Sequence, residues 1–376
     1  MANIFDYMNW RDIELTKVEF NEIDNLILAR LSYFPLDGLI LEGEEVPLYE
    51  VYARYYKLGK RGRILQEEDT KLFPILANSI RFGEIKLTNY INKIDLIQEK
   101  QFSAVTILLP DDTIYVSYRG TDNTIVGWKE DFNMSFSDLV PAQTDAAVYL
   151  EKNAQKYKKN RIRVGGHSKG GNLAVYAAAF CNQKIQERII HVYNNDGPGF
   201  SDKVIHSKEY KNIIDRVHTY IPQTSIIGRL LNHEEETTIL KSTQTGIMQH
   251  DLYTWQVLGG KFVKDELTSS SEFIDKTITN WLSEVSPEQR SEFFDILFEI
   301  LNATEAQTLS EISSKWFTNA KTMVKTYQNL EPESKEIMTK TLNAFLKIGK
   351  SNIRIPKPTL KLNRKFLKLD KQKLQM

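Results

Sequence analysis

Apolar residues recur at helical spacing through residues 1–83, change to continuous and alternating β-type runs near Glu84, and return to helical spacing after Gly259-Gly260. In the first stretch the pattern predicts helices over 21–34, closed by Pro35, and over 47–56 and 70–82. Their tyrosines read as helix-face packing. In the second stretch, 102–109 and 113–118 are β runs separated by the turn Pro110-Asp-Asp112, which predicts a hairpin. A third strand is expected beside it between Ile85 and Ile97. A helix over 141–158 follows, then a short run from Ile162 to Val164 that leads into an alanine- and leucine-rich helix reaching about Gln183. Further strands are expected at 188–193, 215–221 and 237–241. Strands alternating with helices predict a mostly parallel sheet covered on both faces. Beyond it, helices are expected over 270–284, 287–301, 308–330 and 332–348, the second opened by Ser286 as cap and Pro287 at the first position.

This pattern divides the chain into an N-terminal helical segment packed on the core (1–83), an α/β core (84–262), a C-terminal helical region (263–348) and a basic tail (349–376). At 376 residues the chain can bury a large core. Its 49 basic and 49 acidic side chains balance, so no global field selects nucleic acid. The balance is uneven: ten Lys or Arg against one Asp lie between Lys347 and Met376, and the remainder is net acidic. The tail mixes basic and apolar residues, which suits either a solvated terminus or weak contact with an anionic membrane surface. Cys181 is the lone cysteine, which excludes an intramolecular disulfide and fits a reducing compartment. The first residues lack a basic start followed by an apolar run, and no apolar stretch reaches membrane-spanning length, so a cytoplasmic protein is expected.

Candidate chemistry concentrates in Gly166-His167-Ser168-Lys169-Gly170, set between the strand at 162–164 and the helix after it. This is the G-x-S-x-G nucleophile elbow in its strand–turn–helix setting. A serine on so tight a turn takes a strained backbone, and the glycines at 166 and 170 leave room where strand and helix crowd together. Its hydroxyl then stands at a helix N-terminus, which favours developing negative charge. The plainer reading, a glycine-rich phosphate cradle, lacks G-x-x-x-x-G-K-[ST] or G-x-G-x-x-G. The implied fold is an α/β-hydrolase: a mostly parallel sheet with an N-terminal helical segment and a C-terminal helical extension.

A serine hydroxyl needs a base, and the base needs an orienting acid. In this fold they follow in the order Ser, acid, His on later strand ends. Asp196, in the turn Asn194-Asn-Asp-Gly-Pro-Gly-Phe200, is the acid candidate ahead of Asp202 and Asp215; simple turn chemistry is its plainer explanation. Of six histidines, His250 lies after the last predicted strand and is the base candidate. His167 cannot fold back onto the neighbouring hydroxyl, His191 and His218 fall inside strands, and His206 and His233 sit in charged surroundings. Asp251 is a sequence neighbour of His250 and a poor orienter. The oxyanion donors are expected from the backbone N–H groups of Lys169 and Thr121, with Asp122 second to Thr121. The Lys169 side chain has three readings: a cation attracting acidic or phosphate-bearing substrates, a solvated helix-start lysine, or a partner of a nearby acid.

Val116-Ser-Tyr-Arg-Gly-Thr-Asp122, followed by Trp128 and Asp131, together with Gly-Gly-His-Ser168-Lys-Gly-Gly, resembles the class 3 lipases. The chain looks closest to an uncharacterised bacterial family of class 3 lipase-like hydrolases, which shares Asn-Asp-Gly-Pro-Gly-Phe, Ser-Ile-Ile-Gly and Gln-His-Asp. The resemblance covers roughly residues 1–260. It departs at the acid, which class 3 lipases carry one strand later; here that segment, Pro222-Gln-Thr-Ser225-Ile-Ile-Gly, holds none. Asp196 instead resembles the placement in pancreatic-type lipases. Lysine at 169, where the class 3 elbow carries leucine, leaves the substrate preference open.

The expectation is therefore a serine hydrolase of lipase or esterase type, acting on a small-molecule or lipid ester through an acyl-enzyme, with no metal or cofactor. The same residues would serve thioester cleavage or acyl transfer. A different class of function, a catalytically silent hydrolase fold that binds a partner or membrane surface, is favoured by the missing class 3 acid and opposed by Ser168 and His250. The apolar run 226–231 is a candidate acyl groove or lid. The oligomeric state is not legible.

Overall fold

The computed structural model describes residues 2–10, 13–59, 66–95, 100–121, 139–266, 280, 284–305 and 316–352. Eight strands run in sequence order across one sheet: β1 (Glu45–Pro47), β2 (Lys86–Asp95), β3 (Lys100–Leu108), β4 (Thr113–Tyr118), β5 (Arg161–His167), β6 (Ile189–Asn195), β7 (Val217–Pro222) and β8 (Thr237–Leu240). β1 to β4 pair antiparallel, and β4 to β8 pair parallel. β4 is buried at every position, as a strand covered on both faces must be. The expected hairpin and third strand are present, and the sheet is mostly parallel with helices packed on both faces, as expected.

Alternation along the strands divides the core. Ile114, Val116, Ile162, Val164 and Val192 face α5 (Pro141–Lys156) and α6 (Lys169–Phe180). Tyr115, Tyr193 and Tyr220 point the other way, into a layer with α1 (Ile4–Trp10), α2 (Glu22–Leu31), α3 (Leu48–Lys57) and α4 (Glu67–Ala77). α2 begins at Asn21, whose side chain accepts from the Ile23 and Asp24 N–H groups while Asp24 answers the Asn21 N–H. Hydrogen bonds stitch α2 to the sheet: Ser117 Oγ donates to the Leu28 carbonyl at 2.8 Å, and Asn25 Nδ2 to Asn195 Oδ1 at 2.9 Å. Buried ion pairs lock the same layer, Arg81 with Asp24 and Arg30 with Asp69, each at 2.5 Å.

The helix expected over 47–56 begins one residue later, at Leu48, and residues 45–47 form the edge strand β1. Pro47 ends that strand and precedes α3, so a single residue carries both signals. In the C-terminal region α7 (Pro287–Asn302) opens with the expected Ser286 cap and a reciprocal Gln289. It shares an apolar cluster of Ile296, Ile300 and Leu330 with residues of α8 (Trp316–Asn329) and α9 (Pro332–Asn352). The predicted helix 270–284 lies almost wholly outside the described residues, as do Asp122, Trp128, Asp131 and the tail beyond residue 352. No described helix is long and apolar enough to cross a membrane.

Candidate active site

The elbow forms where the sequence placed it. β5 ends at His167, α6 starts at Lys169, and Ser168 between them takes φ 59° and ψ −135°. That left-handed backbone is costly for a residue with a Cβ and marks stored strain at the turn. The Ser168 N–H donates to the Asn195 carbonyl at 3.0 Å, tying the turn to the end of β6. The glycines have the steric role expected of them. A Cβ at Gly166 would come within 2.3 Å of the Gly170 backbone, and one at Gly170 within 2.2 Å of the Tyr118 carbonyl.

Asp196 follows β6 directly, in a left-handed conformation with φ 54°. It is fully buried, and its N–H donates to the Tyr220 carbonyl at 2.8 Å. Its Oδ2 lies 2.7 Å from His250 Nδ1. Among the described residues Oδ1 has no hydrogen-bond partner, and it lines the space beside Gly228. His250 closes a short 3₁₀ segment, Gly246–His250, after β8. The neighbouring Gln249 is buried, and its Oε1 accepts from the Thr224 N–H and hydroxyl, both at 2.8 Å. Trp255 Nε1 donates to the Gln249 carbonyl at 2.8 Å. The histidine loop is thus clamped from the end of β7 and from its own continuation.

The other candidates sort themselves by contact. Asp251 accepts from the Tyr253 N–H and caps the next turn rather than orienting His250. Asp202 accepts from Asn232 Nδ2, and Asp215 lies in a 3₁₀ turn before β7. His191 and His218 face each other on adjacent strands, with ring nitrogens 2.9 Å apart. His206 contacts the Asp202 carbonyl, and His233 faces Glu235.

The turn after β4 comes to the elbow. A Cβ at Gly120 would stand 3.0 Å from Ser168 Cβ and 2.5 Å from the His167 carbonyl. Thr121, half-buried, is the next residue and the last one described before residue 139. Lys169 departs from one of its readings. It is 1% exposed, so it is not solvated, and its ammonium donates to the Gln101 carbonyl on β3 at 3.3 Å. The apolar run 226–231 forms a 3₁₀ turn, Ile227–Arg229, beside Asp196.

Two residues carry more of the site than the sequence indicated. His167 is 6% exposed and packs its ring 4.6 Å from that of His250, with Nε2 2.8 Å from the His250 carbonyl. Burial, then the nearby His250 and Arg30, push its pKa well below the usual histidine value. Tyr33, expected only to pack, places its hydroxyl 3.0 Å from the His167 carbonyl and accepts the Gly120 N–H at 3.0 Å. Position alone signalled His167, inside the elbow motif; nothing in the pattern signalled Tyr33.

Among the described residues no group of three His, Cys, Asp or Glu side chains is arranged to hold a metal ion. Lipases are among the similar solved structures. Lipase II from Rhizopus niveus is 14% identical with a TM-score of 0.35, covering 51% of this chain and 76% of that one. The propeptide complex of Rhizomucor miehei lipase is 14% identical with a TM-score of 0.37, covering 60% and 78%. The Lip2 lipase from Yarrowia lipolytica is 12% identical with a TM-score of 0.31, covering 59% and 99%. No curated protein matches this sequence. The family model described as Mbeg1-like matches residues 76–299, more than half of the chain, and the protein belongs to the Mbeg1-like family.

Proposed function

We propose that the protein is a serine hydrolase that cleaves a carboxylic ester through Ser168, His250 and Asp196. The observation that carries this reading is the 2.7 Å contact of a fully buried Asp196 with His250 Nδ1, at the same sheet edge as a strained Ser168 elbow. An imidazole that donates Nδ1–H to a carboxylate keeps Nε2 as its basic nitrogen. Nε2 takes the Ser168 proton as Oγ attacks the ester carbonyl, and the buried carboxylate stabilises the imidazolium that forms. The Lys169 and Thr121 N–H groups are the proposed donors to the tetrahedral oxyanion. His250 then gives its proton to the departing alkoxide, and water repeats the sequence on the acyl-enzyme. Lipid esters are the proposed substrate class, with thioesters open to the same groups.

The test is labelling by a fluorophosphonate probe, with and without detergent, in wild type, Ser168→Ala and His250→Ala. Labelling of wild type alone supports the reading. A folded wild type that stays unlabelled in both conditions sinks it and favours a silent fold that binds a partner or a surface.

A further inference from the structure

We propose that His167 is a positioning residue for His250: it donates Nε2–H to the His250 carbonyl and packs its ring, tilted, against that of His250. This rests on the reading of His250 as the base. The carbonyl of His250 can only accept, so the 2.8 Å contact makes Nε2 the protonated nitrogen of His167. In a neutral ring Nδ1 is then a lone-pair acceptor, and the Tyr33 hydroxyl stands 3.3 Å from it. Neutrality follows from the site: the ring is buried, and His250 and Arg30 both oppose a further positive charge.

The arrangement joins four segments far apart in sequence. The Gly120 N–H donates to Tyr33, Tyr33 reaches His167, and His167 holds the His250 backbone 83 residues away. The oxyanion turn, the nucleophile elbow and the base loop therefore share one chain of hydrogen bonds. Asp196 holds the His250 ring through Nδ1, while His167 holds its backbone and packs against its ring. A histidine that merely filled space there would need no hydrogen bond to that carbonyl. Trp255 also packs against His167, edge-on, with ring centroids 6.0 Å apart.

The experiment compares full-length wild type, His167→Phe, His167→Gln and Tyr33→Phe by proton NMR and by turnover of a short p-nitrophenyl ester. A proton bridging His250 Nδ1 and Asp196 gives a far-downfield resonance, identified by its loss in His250→Ala. In His167→Phe, which keeps a ring packed against His250, that resonance should broaden or vanish, and kcat should fall about 10- to 100-fold with KM little changed. His167→Gln, whose amide can donate to the same carbonyl, should recover the resonance and most of kcat. Tyr33→Phe should fall between.

A sharp resonance and a kcat within twofold of wild type in His167→Phe would overturn the proposal, as would a Gln variant as impaired as Phe. Absence of the resonance in wild type removes the His250–Asp196 pair and the proposal with it. If the resonance responds as expected but no ester is turned over by wild type, the hydrolase reading fails and the positioning role stands. Should His167→Phe fail to fold, the Gln and Tyr33 variants decide.

Discussion

Asp196 and His250, 54 residues apart, meet at 2.7 Å with the carboxylate fully buried and its second oxygen without a hydrogen-bond partner among the described residues. Carboxylates in such sites are usually satisfied by several donors, and among the described residues the side-chain oxygens of this one have a single partner, the imidazole. The pairing puts the acid candidate at the end of β6, whereas the class 3 pattern would have an acid one strand later, in the segment of Ser225.

If Asp196 is the acid, Asp196→Asn lowers kcat by about 10³–10⁴ by favouring the wrong tautomer of His250. Asp202→Asn and Asp215→Asn leave kcat within about twofold, since neither side chain has a hydrogen bond to the base. Steady-state turnover of a chromogenic ester reads both results. An Asp196→Asn enzyme within tenfold of wild type would place the acid elsewhere.

Lys169 should not select substrates by charge. Its ammonium is buried against the Gln101 carbonyl, so Lys169→Met is expected to lower stability by about 1–3 kcal/mol. The ratio of kcat/KM between a neutral ester and one bearing a carboxylate or phosphate should be unchanged. A shift of tenfold or more toward the neutral ester would restore the side chain to the substrate site.

What the sequence revealed depended on how local the physics was. The elbow was legible because its glycines answer clashes within five residues, and Asp196 because a turn at a strand's end must lie on the sheet edge. His250 followed from chain order. Lys169 was not legible: its burial depends on β3, 68 residues upstream, closing over the helix start. Tyr33 was read as packing because helical periodicity says which face a side chain takes, not which carbonyl it reaches. The strand Glu45–Pro47 is too short to show a period of two, and its proline looked like the start of α3.

Three buried or half-buried histidines predict acid sensitivity. His167 lies well below the usual histidine value through burial, then His250 and Arg30. Burial and then His218 bring His191 down to about 4, and burial lowers His218. Below the unfolded value near 6.5 the unfolded chain binds protons that the fold refuses, so stability falls as pH drops below that point. For His191 the loss continues to about pH 4 and is on the order of 2 kcal/mol, allowing for its partial exposure. Urea unfolding at pH 7.5, 6 and 5 should show this decline in wild type and a shallower one in His191→Asn. Equal slopes would move the acid sensitivity to other groups.

Glu235 acts with the opposite sign. Burial alone would raise its pKa, but the hydrogen bond and charge of His233, with hydrogen bonds from Thr219 and Tyr210, bring it to about 2. Thr219 and His233 share Oε1 at 2.5 and 2.8 Å, and the Tyr210 hydroxyl takes Oε2. A depressed carboxylate contributes stability that is fully present above its unfolded value near 4.5 and is lost as pH falls toward 2. The shift corresponds to about 3 kcal/mol, and the residue is 7% exposed, so solvent screens little of it. The three donors come from before β7, from β7 itself and from the segment leading to β8, so the carboxylate pins that segment to the sheet. Glu235→Gln should therefore lower stability at pH 7 by a few kcal/mol and flatten its pH dependence between 4.5 and 2. Unfolding curves taken through that window decide it: a Gln variant as stable as wild type at pH 7 would mean the three donors are as well satisfied by a neutral amide.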